Sequence, residues 1–139
     1  MRAVVDANVH VSALIGTGPP ARIMTAWAHR LAFDLVVCPQ LIVEINNVLD
    51  RAHVRRRLPL AAADLHLLTL ATQATQMPDP EPIAAATRDP NDDYLVALAR
   101  AAGADYIVTG DKDLLEWPEQ QPPVVTPANF EALLVGDER

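Results

Sequence analysis

Four short apolar runs, Ala3-Val4-Val5, Leu35-Val36-Val37, Tyr106-Ile107-Val108-Thr109 and Val124-Val125-Thr126, are separated by stretches whose apolar residues recur at helical spacing. Runs that short and that apolar read as strands buried on both sides, and strands alternating with helices imply a parallel sheet with helices on both faces. Open sheets of this kind bind ligands beyond the carboxyl ends of their strands. The first run ends in Asp6-Ala7-Asn8 and the third in Gly110-Asp111, so both deliver acids to that edge.

The helical stretches are marked by their ends. Val9 to Ile15 reads as a short helix closed by Gly16-Thr17-Gly18, and Pro19-Pro20 opens a second helix through about Ala32, with Ile23, Met24, Trp27 and Leu31 on one face. Pro39 starts a helix with an apolar stripe of Leu41, Ile42, Ile45, Val48 and Leu49, and Glu44 lies at the border of that stripe. Residues 51–75 read as helical in two pieces broken near Pro59, the first basic and the second apolar. Met77 to Pro82 is proline-rich and reads as a connection. Asp89 as N-cap, Pro90 at the first position and Asp92 three residues after the cap open a helix that stops at Gly103. After Gly110-Asp111-Lys112-Asp113 comes a short helix, and Pro127 begins a closing one with Phe130, Leu133 and Leu134. With no repeat or composition break, residues 1–139 read as a single domain, long enough for one continuous core.

Only 4% of residues are aromatic, so that core is built from Ala, Val, Leu and Ile. A single cysteine, Cys38, excludes an internal disulfide, and no Cys/His cluster has zinc-site spacing. A reducing cytoplasm is the expected compartment, and no apolar run approaches the length that spans a membrane.

Four acids stand where a strand ends, where a helix begins or on a helix border: Asp6, Glu44, Asp93 and Asp111. Asp is common in caps and turns, so each alone reads as structural. Together they are another matter, because clustered carboxylates repel and are tolerated only with shared protons or bound cations. Oxygen ligands without Cys or paired His select Mg²⁺ or Mn²⁺, which suits phosphoryl chemistry.

The order Asp6-x-Asn8, Glu44 on a Pro-started helix, Asp89-Pro90-Asn91-Asp92-Asp93-Tyr94-Leu95-Val96-Ala97-Leu98-Ala99, then Ala104-Asp105-Tyr106-Ile107-Val108-Thr109-Gly110-Asp111-Lys112-Asp113 resembles the PIN-domain nucleases, especially toxins of toxin-antitoxin pairs. The resemblance implies a three-layer fold with a five-stranded parallel sheet. It further implies a Mg²⁺- or Mn²⁺-dependent ribonuclease leaving 5′-phosphate and 3′-hydroxyl ends. It makes Asp6, Glu44, Asp93 and Asp111 the metal-binding quartet, with Asn8 and Thr109 as polar supports that orient a carboxylate or a bound water. Asp92 competes with Asp93 but fits the capping-box position, and Asp113 reads equally as a further ligand or as a charge in a helix first turn. His10 stands where the family carries a bulky apolar residue, and reads as a partly buried or solvated histidine rather than an RNA contact. Cys38 stands where a capping Ser is common.

A net charge of −7 argues against tight nonspecific binding to phosphates. Setting aside the four quartet charges leaves −3, so an RNA substrate is compatible with metal dependence and salt-sensitive affinity. The one dense basic patch, Arg51, Arg55, Arg56 and Arg57 with His53, reads first as a solvated face and second as an RNA track or a surface for an acidic partner; Lys112 is the more local phosphate contact. The resemblance implies a cognate antitoxin protein, bound near the early helices where Met24 and Trp27 read as core; whether the chain forms a homodimer stays open. Two rival readings are a catalytically silent module that binds RNA or protein, and a phosphatase with Asp6 as nucleophile. The phosphatase reading calls for an Asp where Asn8 stands.

Overall fold

In a computed structural model, which describes residues 1–83 and 90–137, the order of elements is β1 (Arg2–Val5), α1 (Ala7–Ile15), α2 (Pro19–Arg30), β2 (Asp34–Val37), α3 (Pro39–Leu49), α4 (Ala52–Arg55), α5 (Leu60–Gln73), β3 (Thr75–Gln76), α6 (Pro90–Ala102), β4 (Tyr106–Val108), α7 (Lys112–Leu115), β5 (Val124–Val125) and α8 (Pro127–Asp137). The five strands form one parallel sheet in the order β3-β2-β1-β4-β5. From β1 the chain builds outward to β2 and β3, then crosses back to lay β4 on the other side of β1. Right-handed crossovers therefore place α6 on the face opposite the earlier helices. The order reverses between β1 and β4, where Val5 pairs with Val108, and this reversal opens a crevice at the carboxyl edge.

The central strands are buried throughout: Ala3, Val4, Val5, Leu35, Val36, Val37, Ile107 and Val108 are all fully enclosed. They belong to one continuous apolar cluster that includes Trp27 and Ile23 of α2, Leu41 and Ile45 of α3, and Leu95 and Leu98 of α6. Trp27 and Met24 are core, as their spacing indicated. Phe130 of α8 sits edge-on to Phe33 at 4.9 Å between ring centres, so the closing helix is anchored by the few aromatics the chain has.

Helix ends follow the punctuation. Gly103 adopts φ +64° after α6, where its amide and that of Ala104 turn back to the carbonyls of Arg100 and Ala99. Leu31 closes α2 in the same left-handed region at φ 48°, without the freedom of a glycine. Thr126 caps α8 by accepting the amide of Asn129. The N-cap assigned to Asp89 lies outside the described residues.

Two boundaries differ from the sequence reading. The first helix starts at Ala7 rather than Val9, because Asp6 already has the extended backbone of an N-cap. Thr75 and Gln76 are edge strand β3 and not the end of the preceding helix, since Ala74 leaves helical geometry and Val36 offers Thr75 a parallel partner. Tertiary pairing overrides local propensity there.

Candidate active site

At the β1–β4 crevice the chain ties two acids to one hydroxyl. The Asp6 amide donates to the carbonyl of Val108 (2.9 Å), which extends the ladder by one residue and fixes where the Asp6 side chain leaves the sheet. Its Oδ2 accepts from the hydroxyl of Thr109 at 2.8 Å. The same hydroxyl accepts the amide of Asp111 at 3.1 Å, and Thr109 is wholly buried. A β-branched residue suits the strand end, and its hydroxyl supplies the polar link; Val at this position would keep the strand and lose the link.

Asp6 is only 6% exposed. Burial pushes its carboxyl above the usual range, and the charge of Asp111 adds to the rise; the Thr109 hydroxyl and the amides of Asn8 and Ala7 pull the other way. Its bond to Thr109 turns the Asp6 carboxylate toward the end of β4. Asp111 is the N-cap of α7 and uses Oδ1 to accept the amide of Asp113 at 2.9 Å. Asp113 thus has a structural task through its backbone, and its side chain is half-buried.

Glu44 is half-buried on α3, as its place on the helix border required, and its Oε2 accepts a hydrogen bond from the hydroxyl of Tyr94 on α6. The sequence reading passed over Tyr94, and its only signal was its position beside two acids in the first turn of a helix. Burial, then Glu44, then Asp6 raise its ionisation far above the ordinary range, so the phenol is permanently a donor and lies within the field of Asp6. The two acids before it differ: Asp92 is 7% exposed and Asp93 is half-buried. Burying a carboxylate is costly unless it is compensated, which gives Asp92 a claim that its capping-box spacing did not. Asn8 is exposed on the first turn of α1, and Lys112 is exposed beside Asp111.

His10 corrects an expectation. It is completely buried, with Nδ1 3.1 Å from Nε2 of His66 on α5, because α1 turns this residue inward to the position an apolar side chain would fill. Burial and then the neighbouring His66 depress its pKa to about 3, and burial lowers that of His66 to about 4. Both are neutral, one ring nitrogen donating and the other accepting. Cys38, also buried, makes no cap hydrogen bond to α3, and burial pushes its thiol up to about 11. The cap comes from elsewhere: Asp79 Oδ1 accepts the Gln40 amide at 2.8 Å. Arg51, His53, Arg55, Arg56 and Arg57 are all exposed, with Arg55 paired to Asp50 at 3.2 Å, as a solvated face would be.

Carboxylate oxygens with hydroxyl support fit a hard divalent cation by their chemistry. A cation there would offset the burial and repulsion that raise Asp6. Among the described residues no three acid, histidine or thiol side chains are gathered closely enough to enclose an ion. Nor, among them, is any helix long and apolar enough to cross a membrane.

Comparison with known proteins bears on the same strands and acids. The crystal structure of PAE2754 from Pyrobaculum aerophilum superposes with a TM-score of 0.65, covering 98% of this chain and 90% of that one at 20% identity, a likeness of fold. No curated protein matches the chain. The family model of the PIN domain matches residues 2–113, from β1 into the first turn of α7. By that match the chain belongs to the PIN-domain family, whose members are generally nucleases that use divalent metals.

Proposed function

We propose that the chain is a Mg²⁺- or Mn²⁺-dependent ribonuclease, the toxin of an antitoxin pair, that hydrolyses RNA to 5′-phosphate and 3′-hydroxyl ends. The observation that carries this reading is the buried Asp6 carboxylate, joined through Thr109 to Asp111 at the crevice between β1 and β4. Asp6 and Asp111, with Glu44 and an acid from the first turn of α6, are the residues that would hold the metal. Asp93 has the motif position for that fourth acid and Asp92 the burial. A cation held there would supply the charge that activates water and stabilises the scissile phosphate. Thr109 aims Asp6 by donating to Oδ2 and favours its ionised form, and Asn8, exposed two residues after Asp6, would orient a carboxylate or a bound water. Lys112 offers an exposed phosphate contact next to Asp111.

For the antitoxin, two apolar grooves flank α2. One, of about 440 Å³, lies between α2 and α8 and includes Ile23, Ala26, Leu134 and Val135. The other, of about 290 Å³, is bounded by α1, α2 and α5, with Leu14, Met24 and Leu65 on its walls. Amphipathic segments dock in grooves of this kind. Leu60, Leu65 and Leu68 on α5 are exposed and provide apolar surface for a homodimer contact.

The test is cleavage of a mixed single-stranded and structured RNA pool with Mg²⁺, Mn²⁺ or chelator, beside Asp6→Asn and Asp111→Asn. Metal-dependent products with 5′-phosphate ends, absent in both variants, are expected. Folded protein, free of partner, that cleaves nothing in any metal would instead be a silent module that binds RNA or protein.

A further inference from the structure

The hydrogen bond between Tyr94 and Glu44 joins residues 50 positions apart and links α3, which follows β2, to α6, which packs on β1 and β4. It therefore ties the helix that follows β2 to the helix that covers β1 and β4. A glutamate on a helix border has three side-chain torsions to fix, and each time it is drawn into use that rotamer freedom is lost. A donor aimed at one of its oxygens removes that cost in advance. The phenol has one proton and gives it to Oε2, which leaves Oε1 as the oxygen for another partner. The aromatic ring is half-buried, so the hydroxyl is held by packing as well as by the bond.

We propose that Tyr94 is a positioning residue, whose hydroxyl restrains Glu44 and leaves its second oxygen free to close on a cation that Asp6 and Asp111 would bind, the three acids gathering only around the ion. The inference rests on the reading of these acids as a metal site. Tyr94 touches neither substrate nor metal in this scheme, and acts only through Glu44. Its hydroxyl also sets the distance between α3 and the acids at the start of α6, so one bond coordinates ligands from two elements.

The experiment measures Mn²⁺ affinity from the paramagnetic resonance of free Mn²⁺ as protein is added, with no RNA present. It compares wild type, Tyr94→Phe, Glu44→Gln and the double variant, each first shown to be folded by its melting curve. Tyr94→Phe keeps the ring and its packing. It is expected to weaken Mn²⁺ binding about 10-fold, within the range typical of groups that support metal ligands. The double variant should bind no more weakly than Glu44→Gln alone, because the hydroxyl has no route except through Glu44. In cleavage assays Tyr94→Phe should lower kcat with KM for RNA unchanged, and raising Mn²⁺ should restore the rate, which a general loss of structure would not allow. Wild-type affinity in Tyr94→Phe, or fully multiplicative losses in the double variant, would overturn the proposal while leaving the nuclease reading intact. Wild type that binds Mn²⁺ but cuts no RNA would remove the nuclease reading, and the four binding curves would still decide the role of Tyr94. Wild type that binds no Mn²⁺ would overturn both.

Discussion

The buried His10–His66 pair makes stability depend steeply on mild acid. Both imidazoles ordinarily titrate at 6.5, and in the folded chain their values are depressed to about 3 and about 4. Above pH 6.5 they are neutral in folded and unfolded chains alike, so they contribute no pH dependence. Below it the unfolded chain takes up two protons that the folded chain refuses, and stability falls with pH until the folded values are reached. At about pH 5 each histidine has been carried about 1.5 units below its unfolded value, costing about 2 kcal/mol, or about 4 kcal/mol for the pair. That is a large share of the roughly 5–15 kcal/mol that holds a domain together. The geometry gives the same sign, because the 3.1 Å contact needs one ring nitrogen without a proton. Urea unfolding from about pH 7.5 to about pH 5 should show this loss in wild type and a much flatter profile in His10→Leu/His66→Leu. Asp6, whose raised value works in the opposite direction at lower pH, is common to both proteins and cancels in the difference. Parallel profiles would refute the reasoning.

Removing the Thr109 hydroxyl in Thr109→Val leaves the strand intact and frees both the Asp6 carboxylate and the Asp111 amide; metal-dependent cleavage should fall about 10–100-fold, read from initial rates. Between the α6 acids, Asp92→Asn should cost more cleavage than Asp93→Asn because Asp92 is the buried one, and an equal or larger loss in Asp93→Asn would leave the role with the motif position. Asp79→Ala removes the borrowed cap of α3 and should destabilise the chain by about 0.5–2 kcal/mol in urea unfolding, with no rescue from Cys38. Phe130→Ala opens a void beside Phe33 under α8 and should cost about 3–5 kcal/mol, seen as a fall in Tm.

What could be read from the sequence was the part set by short-range patterning. The runs around Val4, Val36, Ile107 and Val124 are strands because each packs two or three β-branched residues into a stretch too short for a helix, and the prolines at 19, 39, 90 and 127 mark the first residues of helices. The placement of Asp6 beside the Thr109–Asp111 turn followed from parallel strands sharing one edge, provided β1 and β4 were neighbours, as they are. What escaped the reading depends on partners distant in the chain. Thr75 and Gln76 become a strand only because Val36 and Val37 are beside them. His10 finds its polar partner only because α5 brings His66 to it, and Tyr94 acquires a task only when α3 presents Glu44. Asp92 and Asp93 adjoin in sequence, and periodicity alone could not tell which would be enclosed.

The adjacency of β1 and β4 also fixes when a growing chain acquires this centre. Asp6 and Thr109 are 103 positions apart, so the acid is made well before its hydrogen-bonding partner. Ribosomes add about 5–20 residues per second, so β1, β2 and their helices wait several seconds beside an empty slot before β4 emerges to fill it. Asp6 therefore acquires its Thr109 hydrogen bond only after β4 has been made and laid beside β1.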